Sequence, residues 1–140
     1  MRHDRIVALA MKKLRDNTNF TTIHTNESVK TYWFSIPEDQ RNAMKTAIKH
    51  IPKTPDLVSI DEKNKAITII EIGCSYDAYM DTCYASKLLK YQPLSNVLTN
   101  YGYSCKVIAL IFGSLGHVHR MCVRGLQICG LSKKRAKHFT

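Results

Sequence analysis

The sequence has little of what builds disulfide frameworks, fibres or membrane spans. Its five cysteines, Cys74, Cys83, Cys105, Cys122 and Cys129, are odd in number and include no CxxC pair. That pattern indicates neither a disulfide framework nor a zinc ribbon, and it implies a reducing compartment. No stretch approaches the ~20 apolar residues of a membrane-spanning helix. The opening MRHDRIVALAMKKLRD is charged throughout and lacks the apolar core of a secretory signal. The expectation is an intracellular protein with no membrane partner. Acidic residues are scarce as well: 11 Asp and Glu stand against 21 Lys and Arg, a formal net charge of +10. A surface of that sign attracts polyanions whatever fold carries it, and nucleic acid is the leading partner.

What is present is an ordinary globular composition, 44% hydrophobic and 23% charged, in 140 residues. That length suits one domain, 1–140, with one core. Ile6, Leu9, Ala10, Lys13 and Leu14, with Val7 and Met11 beside them, predict an amphipathic helix over 4–15, which Asp4 could cap. The stretch 20–36 is rich in Thr, Val, Tyr, Trp and Phe and suggests a strand or two. Pro37 then opens a helix over 37–50 whose apolar stripe is Ala43, Met44, Ala47 and Ile48.

LVSI at 57–60 and AITIIEI at 66–72 are β-branched runs joined by the polar DEKNK, the pattern of a hairpin with Asp61 and Glu62 in its turn. Helical periodicity resumes over 77–91, with Pro93 just beyond its expected end. CKVIALIFG at 105–113 is continuously apolar, as in a strand covered on both faces in the middle of a sheet. A last helix is expected over 117–129, before the basic LSKKRAKHFT. This order predicts an α/β fold with a mixed sheet flanked by helices.

The chemistry concentrates on the hairpin. Asp56 opens its first strand, and Glu71 stands near the end of the second, on the same alternating face as Ile67 and Ile69. Antiparallel pairing brings such ends together, and two carboxylates suit a hard divalent cation such as Mg²⁺. An acid inside TIIEIG needs a partner, which is either that metal or Lys87 or Lys90. On the next helix Lys87, Lys90 and Tyr91 lie at i, i+3 and i+4, placed to meet a scissile phosphate or to form a solvated face over Leu88 and Leu89. His117 and His119 read as surface or phosphate-contacting residues, the cysteines as apolar fillers, and Trp33, Tyr76, Tyr79 and Tyr84 as core aromatics or base-stacking platforms.

Pro55-Asp56, then Glu71 on an apolar strand, then a lysine-bearing helix resembles the PD-(D/E)xK nuclease superfamily. Gly73 occupies the usual lysine position, and some branches take that lysine from the next helix, which here offers Lys87 or Lys90. Arg2-His3-Asp4, PDL at 55–57, EIG at 71–73 and KLLKYQPL at 87–94 are similar, in order and spacing, to blocks of the restriction-like endonuclease domain of site-specific non-LTR retrotransposons.

That resemblance implies a restriction-endonuclease-like fold and a Mg²⁺-dependent DNA endonuclease, with Mn²⁺ able to substitute. In the family, the nick in double-stranded DNA leaves a 3′ hydroxyl that primes reverse transcription. It implies catalytic roles for Asp56, Glu71, Lys87, Lys90 and Tyr91, and a metal shell of Asp56 and Glu71 to which Asp4 or His3 contributes. It further implies nuclear localisation and partnership with the reverse-transcriptase and DNA-binding regions of a larger polyprotein. Arg2, Lys133, Lys134, Arg135 and Lys137 are the expected nucleic-acid contacts. The rival expectations are a structure-selective junction resolvase and a binding module that has lost its chemistry, the latter suggested by Gly73.

Overall fold

The computed structural model describes residues 2–17, 22–113, 119–128 and 134. The hairpin sets the architecture. Strand β1 is Thr22–Thr25, β2 is Leu57–Asp61, β3 is Ala66–Ser75 and β4 is Ser104–Gly113. They form one sheet in the order β1-β2-β3-β4, with antiparallel pairing except between β3 and β4, which are parallel. Parallel neighbours need a crossover, and the chain makes it through α3, Met80–Lys90, and α4, Gln92–Asn100. The remaining helices are α1, Arg2–Asn17, α2, Glu38–Ile48, and α5, Met121–Ile128; short 3₁₀ turns occupy Thr31–Trp33 and Asp77–Tyr79.

Strand periodicity divides the core between two faces. On one, Leu57, Ile70, Ile72, Ile108, Leu110 and Phe112 pack with Val7 of α1 and with Cys122 and Leu126 of α5. On the other, Val58, Ile60, Ile67 and Ile69 pack with Met44 and Ile48 of α2 and Leu94 and Leu98 of α4. Ala109 and Ile111 meet Met80 of α3, with Cys83, Tyr84 and Leu88 against them. The result is the expected mixed α/β sheet flanked by helices, consistent with a restriction-endonuclease-like fold.

Two expectations are corrected. The apolar run 105–113 is an edge strand among the described residues, not a central one; its composition reflects helices on both faces rather than strands on both sides. Pro93 lies just beyond the end of α3, as expected, and a further helix, α4, begins around it. It occupies the first turn of α4, where its missing N–H costs no intrahelical bond. In α1, Val7 is buried with Ile6 and Met11 packed beside it, whereas Leu9 is 44% exposed.

Candidate active site

The turn between β2 and β3 decides which side chains meet. Asp61 accepts hydrogen bonds from the Asn64 N–H at 3.2 Å and the Asn64 side-chain amide at 2.8 Å, and Lys65 takes a left-handed φ of 51°. Such local bonds define a tight turn over 62–65; Glu62 lies in it as expected, whereas Asp61 is the last residue of β2 and anchors the turn. The resulting register pairs Asp61 with Ala66 and Leu57 with Ile70. Continuing it by one position sets Asp56 opposite Glu71, on the face of Val58 and Ile69. A slip of one residue would send one acid to the other side of the sheet.

Both acids are buried, Asp56 at 9% and Glu71 at 3% exposure. They lock reciprocally: the Asp56 N–H donates to Glu71 Oε2 at 3.0 Å, and the Ile72 N–H donates to Asp56 Oδ2 at 2.8 Å. The other Glu71 oxygen, Oε1, accepts from Lys87 Nζ at 3.2 Å and lies 3.8 Å from Lys90 Nζ. Lys87 is the less exposed of the two, 27% against 47%. Burial pushes the Glu71 carboxyl above the ordinary glutamate range, reinforced by the Asp56 charge and opposed by the Asp56 N–H and the Lys87 ammonium.

Gly73 is explained by this packing. A Cβ there would lie 2.6 Å from Ile111 Cδ1, 3.1 Å from Cys83 Sγ and 3.6 Å from Lys87 Cε. A side chain at 73 would enter space filled first by Ile111 of β4 and then by Cys83 of α3, with the lysine that reaches Glu71 in contact beside it. Lys87 crosses beside Gly73 to bring its ammonium to Glu71.

Tyr91 is corrected. It is 1% exposed, and its hydroxyl donates to the Thr54 carbonyl at 2.9 Å. Burial, with the Glu71 and Asp56 charges nearby, holds its phenol well above the ordinary tyrosine range. It braces the segment leading to Asp56. Asp4 lies exposed in the first turn of α1 rather than at its cap, on a helix packed on the opposite face from Glu71. Among the described residues no three His, Cys, Asp or Glu side chains are grouped to hold a metal. The side chains of Arg2 and His3, and the whole of Lys133, Arg135 and Lys137, lie outside the described residues; Lys134 is exposed.

Other assignments change with burial. His119 is not on the surface: it is 5% exposed, its Nε2 is 2.7 Å from Asp81 Oδ1, and its Nδ1 accepts the Met121 N–H at 3.1 Å. An accepting Nδ1 puts the neutral ring's proton on Nε2, which donates to Asp81. The ring stacks on Tyr84 at 4.6 Å, so this pair clips the start of α5 to α3. His117 and Cys129 lie outside the described residues. Tyr76 and Tyr79 are 73% and 63% exposed and are not core aromatics, and Trp33 stacks on His24 at 3.6 Å. Cys74 is exposed rather than a filler, while burial raises the Cys122 thiol to about 11.

As for chemistry, two oxygen-donor carboxylates converge beside one well-held and one looser ammonium. Hard oxygen donors of this kind fit Mg²⁺ or Mn²⁺, with Asp56 and Glu71 as the residues that would hold the ion.

No family model matches the sequence, and no curated protein matches it. Among solved structures, the chain is similar to an N-terminal domain of a reptarenavirus L protein, with 18% identity and a TM-score of 0.47. The match covers 96% of this chain and 66% of that one, so the chain spans just under two thirds of its neighbour.

Proposed function

We propose that this chain is a metal-dependent nuclease that hydrolyses phosphodiester bonds at Asp56 and Glu71, with Lys87 as its cationic partner. The observation that carries the reading is one constellation: two buried acids opposite each other on one face of the hairpin, with the Lys87 ammonium on Glu71 and Gly73 clearing its path. A divalent cation, when bound, would supply Lewis-acid polarisation and a more acidic water. The residues provide the rest. Asp56 and Glu71 hold negative oxygens in fixed directions through the Ile72 and Asp56 N–H groups. Lys87 keeps a positive charge where a phosphate oxygen gains negative charge, and Lys90 adds a second, more mobile one. The finer assignment, a nick in double-stranded DNA that primes reverse transcription in the nucleus, with polymerase and DNA-binding regions as partners, is a proposal supported by the order of the sequence blocks.

The test is nicking of supercoiled plasmid in Mg²⁺ or Mn²⁺ by wild type, Asp56→Ala, Glu71→Ala and Lys87→Ala. Loss of two or more orders of magnitude is expected in each acid variant, and equal cleavage by all four proteins would remove the site. One observation favours a second reading, a nucleic-acid-binding module without catalysis: Glu71 already has its charge answered by Lys87 and Lys90. Salt-sensitive binding with no metal-dependent cleavage would select it.

A further inference from the structure

A second basic feature lies on the α2 side of the molecule. Lys30, Lys45, Lys49 and Lys53 line one cleft of about 610 Å³, between the segment entering the Thr31–Trp33 turn and the second half of α2. None of the residues lining it is acidic. Among the described residues none of the four lysines pairs with a carboxylate, in contrast to Lys65 with Glu62 and Lys87 with Glu71. Like charges gathered without counter-charges oppose folding by mutual repulsion, so a fold that keeps them together leaves a concentrated positive potential facing solvent.

The cleft is built rather than loosely lined. Lys45 and Lys49 stand one helical turn apart on α2 and at its end. Lys53 is held by donation from its Nζ to the Lys49 carbonyl at 3.1 Å. The two walls are tied by the Val29 N–H on the Lys53 carbonyl at 2.8 Å and by Ser28 Oγ on Thr54 Oγ1 at 2.8 Å. Tyr32, 71% exposed, lines the same opening.

The volume falls within the roughly 300–1,000 Å³ of small-ligand pockets, enough for a nucleotide or two and far short of a double helix. Charge plus an exposed aromatic is the combination that holds unpaired strands. The cleft's wall runs on through Lys53, Thr54 and Pro55 to Asp56, and the Thr54 carbonyl is the one held by Tyr91.

We propose that this cleft binds a single strand of nucleic acid, with phosphates on the lysine ammonium groups and an unpaired base on Tyr32, and that it leads the strand toward Asp56 and Glu71. The last clause rests on the nuclease reading; the binding does not.

The test uses the full chain in EDTA, so that no cleavage intervenes, with fluorescently labelled oligo-dT and oligo-rU in separate arms across a salt series. Lys45→Ala/Lys49→Ala should weaken binding about tenfold at low salt and flatten the slope of log K against log salt by about 1.4, two single-strand phosphate contacts. Lys12→Ala/Lys63→Ala, which removes the same charge outside the cleft, should leave the slope nearly unchanged. Tyr32→Ala should weaken binding by about fivefold or more without altering the slope. Loss in either arm supports the cleft and, if confined to one, names the sugar it prefers.

A cleft variant that matches the control pair would overturn the proposal. An equal loss toward a duplex of the same sequence would overturn its assignment to a single strand. Cleavage without the slope change sinks the cleft alone, and the slope change without cleavage in Mg²⁺ sinks the nuclease reading alone. Circular dichroism of each variant confirms that it is folded, and all the substituted side chains are exposed.

Discussion

Gly73→Ala is a small change that tests the account of the site directly. The added Cβ would meet Ile111 Cδ1 at 2.6 Å and Cys83 Sγ at 3.1 Å. Ile111 is fully buried, so its δ carbon has nowhere open to move. Overpacking of this kind costs about 1–3 kcal/mol, which lowers the melting temperature by roughly 3–10 °C for a domain of this length. The strain falls between Ile111 of β4 and Cys83 of α3, and α3 carries Lys87, whose Cε lies 3.6 Å from the new atom and whose Nζ lies 3.2 Å from Glu71 Oε1. Activity should therefore fall further than stability explains.

The matching relief is Ile111→Val, which removes the clashing carbon at its own cost of about 0.5–1.5 kcal/mol. Added to Gly73→Ala, it should return part of the loss, a favourable coupling of about 0.5 kcal/mol or more in a double-mutant cycle read by urea denaturation. Gly73→Lys, which writes the usual motif into the sequence, should destabilise at least as much and should not rescue Lys87→Ala. An unstrained Gly73→Ala, additive with Ile111→Val, would refute the claim that this glycine makes room for α3 and its lysine.

Other outcomes follow from the same geometry. Because burial raises the Glu71 carboxyl, the folded chain binds its proton more tightly than the unfolded chain does; the stabilising contribution is present at low pH and falls as pH rises through the folded value. Glu71→Gln should remove that downward slope in metal-free denaturation curves as pH rises above the ordinary glutamate range, and an unchanged slope would place the proton elsewhere. Tyr91→Phe leaves the Thr54 carbonyl without its 2.9 Å donor and should cost about 0.5–1.5 kcal/mol with only a modest loss of rate; a collapse of kcat at unaltered stability would restore Tyr91 to the chemistry. Lys87→Ala should depress nicking more than Lys90→Ala, given 3.2 Å against 3.8 Å to Glu71, and the reverse order would exchange their roles.

The parts of this protein legible in its sequence are those set by neighbours along the chain. Alternating β-branched residues around DEKNK specified a hairpin, and counting back from its turn put Asp56 and Glu71 on one face, because strand periodicity leaves only two choices. The lysines of α3 were visible as candidates because helical spacing places them together. Pro93 marked the end of α3 but not the start of α4, because a proline is acceptable both after one helix and in the first turn of the next. The apolar run of β4 read as central because local pattern reports cover on two faces, not the number of strand neighbours.

Tertiary structure alone decided the remaining questions, since each depends on distances between segments far apart in sequence. It turned Tyr91 inward to Thr54, buried His119 against Asp81, and exposed Tyr76 and Tyr79. It also drew lysines from either side of α2 into one cleft and set Lys87 nearer to Glu71 than Lys90, with Gly73 beside the Lys87 side chain. The sequence by itself determined which residues carry charge and which face of a strand or helix each one takes. Which of those charges meet, and which are hidden, was settled by how closely helices pack on the sheet, a matter of volume that no one-dimensional spacing contains.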